Sequence, residues 1–117
     1  KDIKSTIVEV RKITNNVRGI FEKNKIKEKI KRFDIEIVKE NFWKDKISAQ
    51  KILKEKNFLE NIFGNFNSTL NELENLEQLL ELALKEDDSA VIKDCDKKVK
   101  LLFNQIKKTE VSCFLSG

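Results

Sequence analysis

The sequence predicts an all-α protein, an elongated antiparallel helical bundle of about four helices, two of them long, with coiled-coil-like packing. Apolar residues recur at alternating steps of three and four along most of the chain, which keeps them on one helix face. The 117 residues include no proline and only three glycines, so few residues interrupt helices. This length suits one helical domain, which we assign to residues 1–117.

Two apolar runs predict the first two helices, and a short polar connection separates them. Gly19 and Asn24 mark this connection, and the Asn24 side chain can cap the second helix. The runs are Ile3, Ile7, Val10, Thr14, Val17 and Phe21, followed by Ile26, Ile30, Phe33 and Ile37.

The third helix is predicted to run from about residue 46 to residue 85, with Asp45 as its N-cap. At the helical rise per residue it is about 60 Å long. Gly64 is its weak point, where we expect a kink or a close helix approach rather than a break. The apolar run consists of Leu59, Phe63, Phe66, Leu70, Leu73, Leu76, Leu80 and Leu84.

The fourth helix follows an acidic connection in which Asp87 or Asp88 can act as N-cap. Short connections predict that neighbouring helices are antiparallel. Cys95 and Cys113 lie on the apolar run, about 27 Å apart at the helical rise, so we expect two buried, reduced thiols that cannot bridge each other. The run consists of Ile92, Cys95, Val99, Leu102, Ile106, Thr109 and Cys113.

Two aromatic residues, Phe42 and Trp43, lie in the polar connection "ENFWKDK" between the second and third helices. Buried aromatic rings supply much contact area from few residues, so both are predicted to anchor this end of the bundle as a buried plug. The functional alternative is a base-stacking platform or a partner hot spot.

Charge is distributed unevenly along the chain. Residues 1–58 carry 17 basic and 9 acidic side chains, whereas residues 59–117 carry 7 basic and 11 acidic ones. A basic half can indicate an RNA partner, and the alternative is a biased, lysine-rich composition. The candidate RNA-facing residues point away from the apolar run of the second helix, and they are Lys25, Lys27, Lys31 and Arg32.

The sequence lacks the residue patterns on which most catalytic sites are built. There is no histidine, which is the usual general base and the commonest metal ligand. No glycine-rich phosphate loop is present, and we expect no catalytic, cofactor-binding or metal-binding residue and no small-molecule substrate. No apolar segment is long enough to span a membrane and no signal peptide is evident, so we expect a cytoplasmic, non-enzymatic interaction domain.

The order of several short segments adds to this interpretation. "NNVRGIF", "FWKDKISAQKILKEKNFLENIF", "LEQLLELALKEDDSAVI" and "CFLSG" follow one another along the chain. Together they resemble the N-terminal domain of the bacterial peptide chain release factor 2 family, from about residue 14 to Gly117. The alternatives are the corresponding domain of release factor 1, or an unrelated coiled-coil adaptor.

The resemblance implies a cytoplasmic translation termination factor. Such factors recognise the stop codons UGA and UAA on the ribosome and trigger hydrolysis of peptidyl-tRNA. The family reads the codon with a Ser-Pro-Phe element and releases the peptide with Gly-Gly-Gln, and neither is present here. Both would lie beyond residue 117, together with the contact to mRNA. The implied partners of this domain are ribosomal RNA, the GTPase-associated region of the ribosome and release factor 3.

Overall fold

The computed structural model describes residues 2–115, and within that range all regular structure is helical, as the sequence predicts. The helices are α1 (Ile3–Lys23), α2 (Ile26–Ile37), α3 (Lys46–Lys85) and α4 (Ser89–Phe114). A short 3₁₀ helix, Phe42–Lys44, lies between α2 and α3. The molecule measures 63 × 21 × 18 Å, so the prediction of an elongated all-α bundle is confirmed. Ser116 and Gly117 of the terminal motif lie outside the described residues.

Helix α3 is the longest helix and contacts each of the others, although α1 packs mainly against α4. The 40 residues of α3 span the length of the molecule, and α1 and α2 follow one another along it in the direction opposite to its own. An ion pair joins Arg11 of α1 to Glu77 near the end of α3. Further along, Lys56 Nζ lies 2.8 Å from Asp34 Oδ1 of α2.

The prediction that all neighbouring helices are antiparallel is therefore wrong for α1 and α2. These two helices run end to end along α3, with α2 packed mainly on α3 and α1 packed mainly on α4. The antiparallel arrangement holds for α2 with α3 and for α3 with α4. Ile62 shares a groove with Ser112, whereas Glu72, further along α3, shares one with the earlier Lys98.

The break between α1 and α2 lies later than the sequence suggests. Helix α1 continues through Gly19, whose side of the helix is exposed, and Asn24 closes it. The prediction that Asn24 caps α2 is wrong, since Lys25 precedes α2 and no side chain caps that helix. Lys25 adopts a left-handed conformation with φ 52°, which ends one helix and starts the next.

Helix α4 packs against both α1 and the second half of α3. One end of the molecule is consequently three helices thick, and we call this part the body. The other end consists of α2, the 3₁₀ helix and the start of α3, and we call residues 24–58 the arm. Ile30, Phe33 and Ile37 are only half-buried, because α2 has a single partner along the arm.

The core lies mainly in the body and follows the predicted apolar runs, with a shift in α3. Cys95, Cys113 and the predicted α1 positions from Ile7 to Phe21 are buried. Three α3 residues that were predicted to face the core are less buried than expected: Leu84 is exposed, and Phe63 and Leu70 are half-buried. A helix with partners on two sides buries a wider face than a single stripe, and the α3 positions buried beyond the predicted run are Ala49, Ile62, Thr69 and Ala83.

Aspartates cap three of the helices. The carboxylate of Asp45 accepts a hydrogen bond from the Ser48 amide at 3.2 Å, and that of Asp88 accepts one from Val91, as predicted. Hydrogen bonding from Ser48 also lowers the pKa of Asp45. Helix α3 is continuous through Gly64, but the expected close approach there is wrong, since a Cβ at this position would meet nothing within 4 Å.

The turn between α3 and α4 places a non-glycine residue in a conformation that favours glycine. Asp87 has φ 55°, while the Asp88 amide donates to the Ala83 carbonyl at 2.9 Å, as in a Schellman motif. We expect Asp87→Gly to raise the free energy of unfolding by about 0.5–1 kcal/mol, because glycine adopts this conformation without a steric cost. Equilibrium unfolding in urea measures the change.

A matched control is Glu86→Gly, one residue earlier, where φ is −93° and glycine offers no advantage. This control variant should be destabilised, because glycine adds conformational freedom to the unfolded chain. A lower urea midpoint for Asp87→Gly would contradict the prediction.

Candidate nucleic-acid interface

The arm carries the positive charge of the molecule. Residues 24–58 hold 11 basic and 6 acidic side chains, whereas the other described residues hold 12 basic and 14 acidic ones. The uneven charge of the sequence therefore becomes a separation in space between a basic arm and a body close to neutral. A basic surface of this kind attracts phosphate groups at long range, and the attraction weakens with salt.

The four predicted RNA-facing residues are all exposed. At 3.6 residues per turn, Lys27 and Lys31 share one side of α2, while Lys25 and Arg32 share another. Glu28 lies between the two pairs, so these cations form two short rows rather than one stripe. Lys25 lies immediately before α2 rather than within it.

Two of these residues line a groove where α1, α2 and α3 meet. Lys25 and Lys27 form part of its wall, and the Lys27 ammonium lies 5.8 Å from the centre of the Phe63 ring. Arg18 of α1 is placed in the same way over Phe66. Cation–π contacts of this kind fix the cations against the aromatic floor of the groove. The sequence analysis did not identify Arg18, although its spacing from Phe21 and its position before Gly19 were visible.

An ion pair holds the two helices of the arm together. Lys56 of α3 has only 17% of its side chain exposed, and it contacts Asp34 of α2. The hydrogen bond that Lys56 donates to Asp34 raises the pKa of Lys56, so this lysine remains charged at neutral pH. The pair adds to the apolar packing of Ile26, Ile30 and Phe33, which positions α2 and the basic residues that project from it.

At the end of the arm, the structure separates the two aromatic residues that the sequence grouped as one plug. Phe42 is buried, with 7% of its surface exposed, and it anchors the 3₁₀ helix against α3. Trp43 is 60% exposed, so the prediction that it is buried is wrong. Consecutive residues in a tight helical turn point in different directions, and α3 offers a contact surface on only one side.

The sequence analysis also missed the cations around Trp43. Lys39, Lys44 and Lys46 are exposed at the end of the arm, and an open hollow there is lined in part by Lys39 and Lys44. All three lie within four residues of the tryptophan, a spacing that was visible in the sequence. A buried Trp43 would not share a surface with these three lysines, whereas an exposed Trp43 does.

Within residues 2–115, both cysteines are buried and no cluster of metal ligands is present. The Cys113 thiol is buried, and desolvation raises its pKa to about 11, so it stays protonated at neutral pH. Over residues 2–115, no helix combines the length and the apolarity needed to cross a membrane.

The difference in burial predicts that substitutions at the two aromatic residues change the free energy of unfolding by different amounts. We expect Phe42→Ala to lower the free energy of unfolding by about 3 kcal/mol, because it leaves a cavity between the 3₁₀ helix and α3. Trp43→Ala should change it by less than about 1 kcal/mol, because most of the ring already contacts solvent. Urea denaturation of the two variants provides the comparison, and an equal loss in both would contradict these environments.

Comparison with known proteins identifies bacterial release factors among the relatives of the chain. The chain is 30% identical over 103 residues to peptide chain release factor 2 of Helicobacter pylori, a match that covers 88% of this chain and 28% of that protein. The release factor 2 of Aliarcobacter butzleri matches with the same identity and coverage. That of Neorickettsia sennetsu is 35% identical over 75 residues, or 64% of this chain and 20% of the relative. No family model matches the chain.

The chain thus spans less than a third of the length of the relatives it matches. The matches cover most of the chain. Its all-α fold and the order of its segments agree with what the resemblance implies. The matches favour neither release factor 1 nor an unrelated adaptor. Over most of its length, the chain is similar to part of the peptide chain release factor 2 proteins.

Proposed function

We propose that this chain is the N-terminal helical domain of a translation termination factor that recognises UGA and UAA on the ribosome. The match of 88% of the chain to release factor 2 relatives carries the proposal. Codon reading and peptide release would reside in further domains, so the chain itself performs no catalysis. Its role is to contribute binding surface to a factor that acts in the cytoplasm.

The charge distribution supports a ribosome-facing role for the arm. A surface with 11 basic and 6 acidic residues favours the approach of RNA phosphates, while the body stays close to neutral. We propose that Lys25, Lys27, Lys31 and Arg32 face ribosomal RNA. The family resemblance further suggests the GTPase-associated region of the large subunit and release factor 3 as partners.

The most direct experiment for the proposed activity uses the longer factor. The sequence that follows Gly117 should contain Ser-Pro-Phe and then Gly-Gly-Gln within about two hundred residues, if the resemblance extends to the whole protein. The factor should release peptide from ribosomes stalled at UGA and UAA and leave UAG complexes intact. Release at UAG but not at UGA would favour release factor 1, and the absence of both elements would favour an adaptor.

Charge reversal tests the role of the basic arm. We expect the change of Lys25, Lys27, Lys31 and Arg32 to glutamate, in the longer factor, to weaken ribosome binding at least tenfold at low salt. The loss should shrink as salt rises, and stop-codon preference should stay the same because codon reading occurs elsewhere. Binding measured across a salt series provides the test.

A control with the same net change reverses four exposed lysines of α4 in the body, namely Lys93, Lys97, Lys107 and Lys108. This variant should bind ribosomes more tightly than the arm variant. Circular dichroism should show that both variants keep their helices, because the altered side chains lie outside the core. Equal affinity of the arm variant and the unaltered factor at every salt concentration would show that the lysines reflect composition alone.

A further inference from the structure

The ring of Trp43 is exposed but held in place. It belongs to the 3₁₀ helix, in which the Phe42 amide donates to the Lys39 carbonyl at 3.1 Å and the Lys44 amide donates to Asn41 at 3.2 Å. The Trp43 ring lies edge-on to the buried Phe42 ring, with centroids 5.0 Å apart and planes at 86°. A rigid, exposed aromatic surface binds a flat partner with little loss of conformational entropy.

Charged side chains of both signs surround this ring. Lys44 follows it directly, Lys46 begins α3, and Lys39 lies at the start of the turn. Lys39 Nζ also lies 3.0 Å from Glu36 Oε2, and this exposed pair is open to exchange with another anion. The carboxylate of Asp45, the nearest acidic group in sequence, is engaged in capping α3. Glu40 is exposed and lines the same hollow as Lys39 and Lys44. The end of the arm therefore combines one aromatic face with three lysines and three carboxylates, two of which already have partners.

Three aliphatic residues of the arm are strongly exposed, and Val38, which is 79% exposed at the end of α2, is nearest to the turn that carries Trp43. Ile35 is 62% exposed and lies two positions beyond Phe33, on the outer face of α2. Ile47 is 77% exposed and precedes the buried Ala49 by two positions, on the outer face of α3. Since α2 and α3 pack together, these outer faces point in opposite directions. A protein hot spot would need a contiguous, packed apolar surround, and its contact would not depend on an unpaired base.

We propose that the end of the arm binds RNA, with an unpaired base stacked on Trp43 and the neighbouring phosphates contacted by Lys39, Lys44 and Lys46. Aromatic rings next to lysines are a common way of binding single-stranded nucleic acid, because every base offers a flat face for stacking. That the RNA is ribosomal rests on the proposed function. The unpaired nucleotide as ligand of the arm is added to that function. The stacking itself follows from the geometry of the tip.

Trp43 is the only tryptophan of the chain, so its fluorescence reports on the proposed contact directly. The probe is a hairpin RNA with a loop of unpaired purines, titrated into the chain at low salt. Stacking should quench the fluorescence by about half or more, and a fully paired duplex of the same length should leave it nearly unchanged. Trp43→Ala should weaken hairpin binding, measured by anisotropy of labelled RNA, by about tenfold.

Two variants serve as controls. Trp43→Phe keeps an aromatic face and should retain most of the affinity, whereas Ile47→Ala removes an equally exposed apolar side chain and should bind as the unaltered chain does. Absence of quenching by the hairpin, or equal hairpin affinity of Trp43→Ala and the unaltered chain, would overturn the proposal. Quenching of equal size by hairpin and duplex would do the same, because it would mean that no unpaired base is required.

The titration contains no ribosome, so its outcome is independent of the termination assay. A factor that fails to release peptide while the chain still binds the hairpin through Trp43 would contradict the proposed function and support the present inference. Loss of ribosome binding in Trp43→Ala, with unchanged hairpin binding, would instead show that the ring contacts a ribosomal protein and would overturn the RNA proposal.

Discussion

The end-to-end arrangement of α1 and α2 along one long helix, joined by an aromatic cluster, is the constraint on which the rest of the structure depends. Phe21, near the end of α1, lies edge-on to Phe63 at 5.6 Å and to Phe66 at 5.0 Å between ring centres. This aromatic cluster lies where the three-helix body gives way to the two-helix arm, and the first residue of α2, Ile26, is fully buried beside it. The contacts fix the direction in which α2 leaves the body.

The division into body and arm also gives the charge distribution a physical role. The body buries most of the core, including the full run of α4 from Cys95 to Cys113. The arm buries less and instead presents cations on α2 and at its tip, with Lys56 and Asp34 holding its helices together. A stable body combined with a narrow basic projection suits a domain that reaches toward RNA from a larger factor.

Local signals predicted much of this fold, and tertiary choices were harder to predict. The caps Asp45 and Asp88 act within three residues, so their side chains determine the helix starts without help from the rest of the chain. The periodic runs likewise identified the buried face of α4. By contrast, the end-to-end order of α1 and α2 depends on the length of α3, and the choice of Phe42 rather than Trp43 as anchor depends on which side of the turn α3 covers. Neither property is encoded in a short sequence window.

Amide hydrogen exchange in Phe21→Ala tests most directly whether the aromatic cluster couples the arm to the body. The substitution removes about 3–5 kcal/mol of packing, which corresponds to an increase in exchange rate of a hundredfold or more in the segments that depend on it. The account predicts that amides of α2 around Ile30 and Phe33 accelerate together with those of α1. Faster exchange confined to α1, with unchanged protection in α2, would show that the arm folds independently of the cluster and would contradict the account.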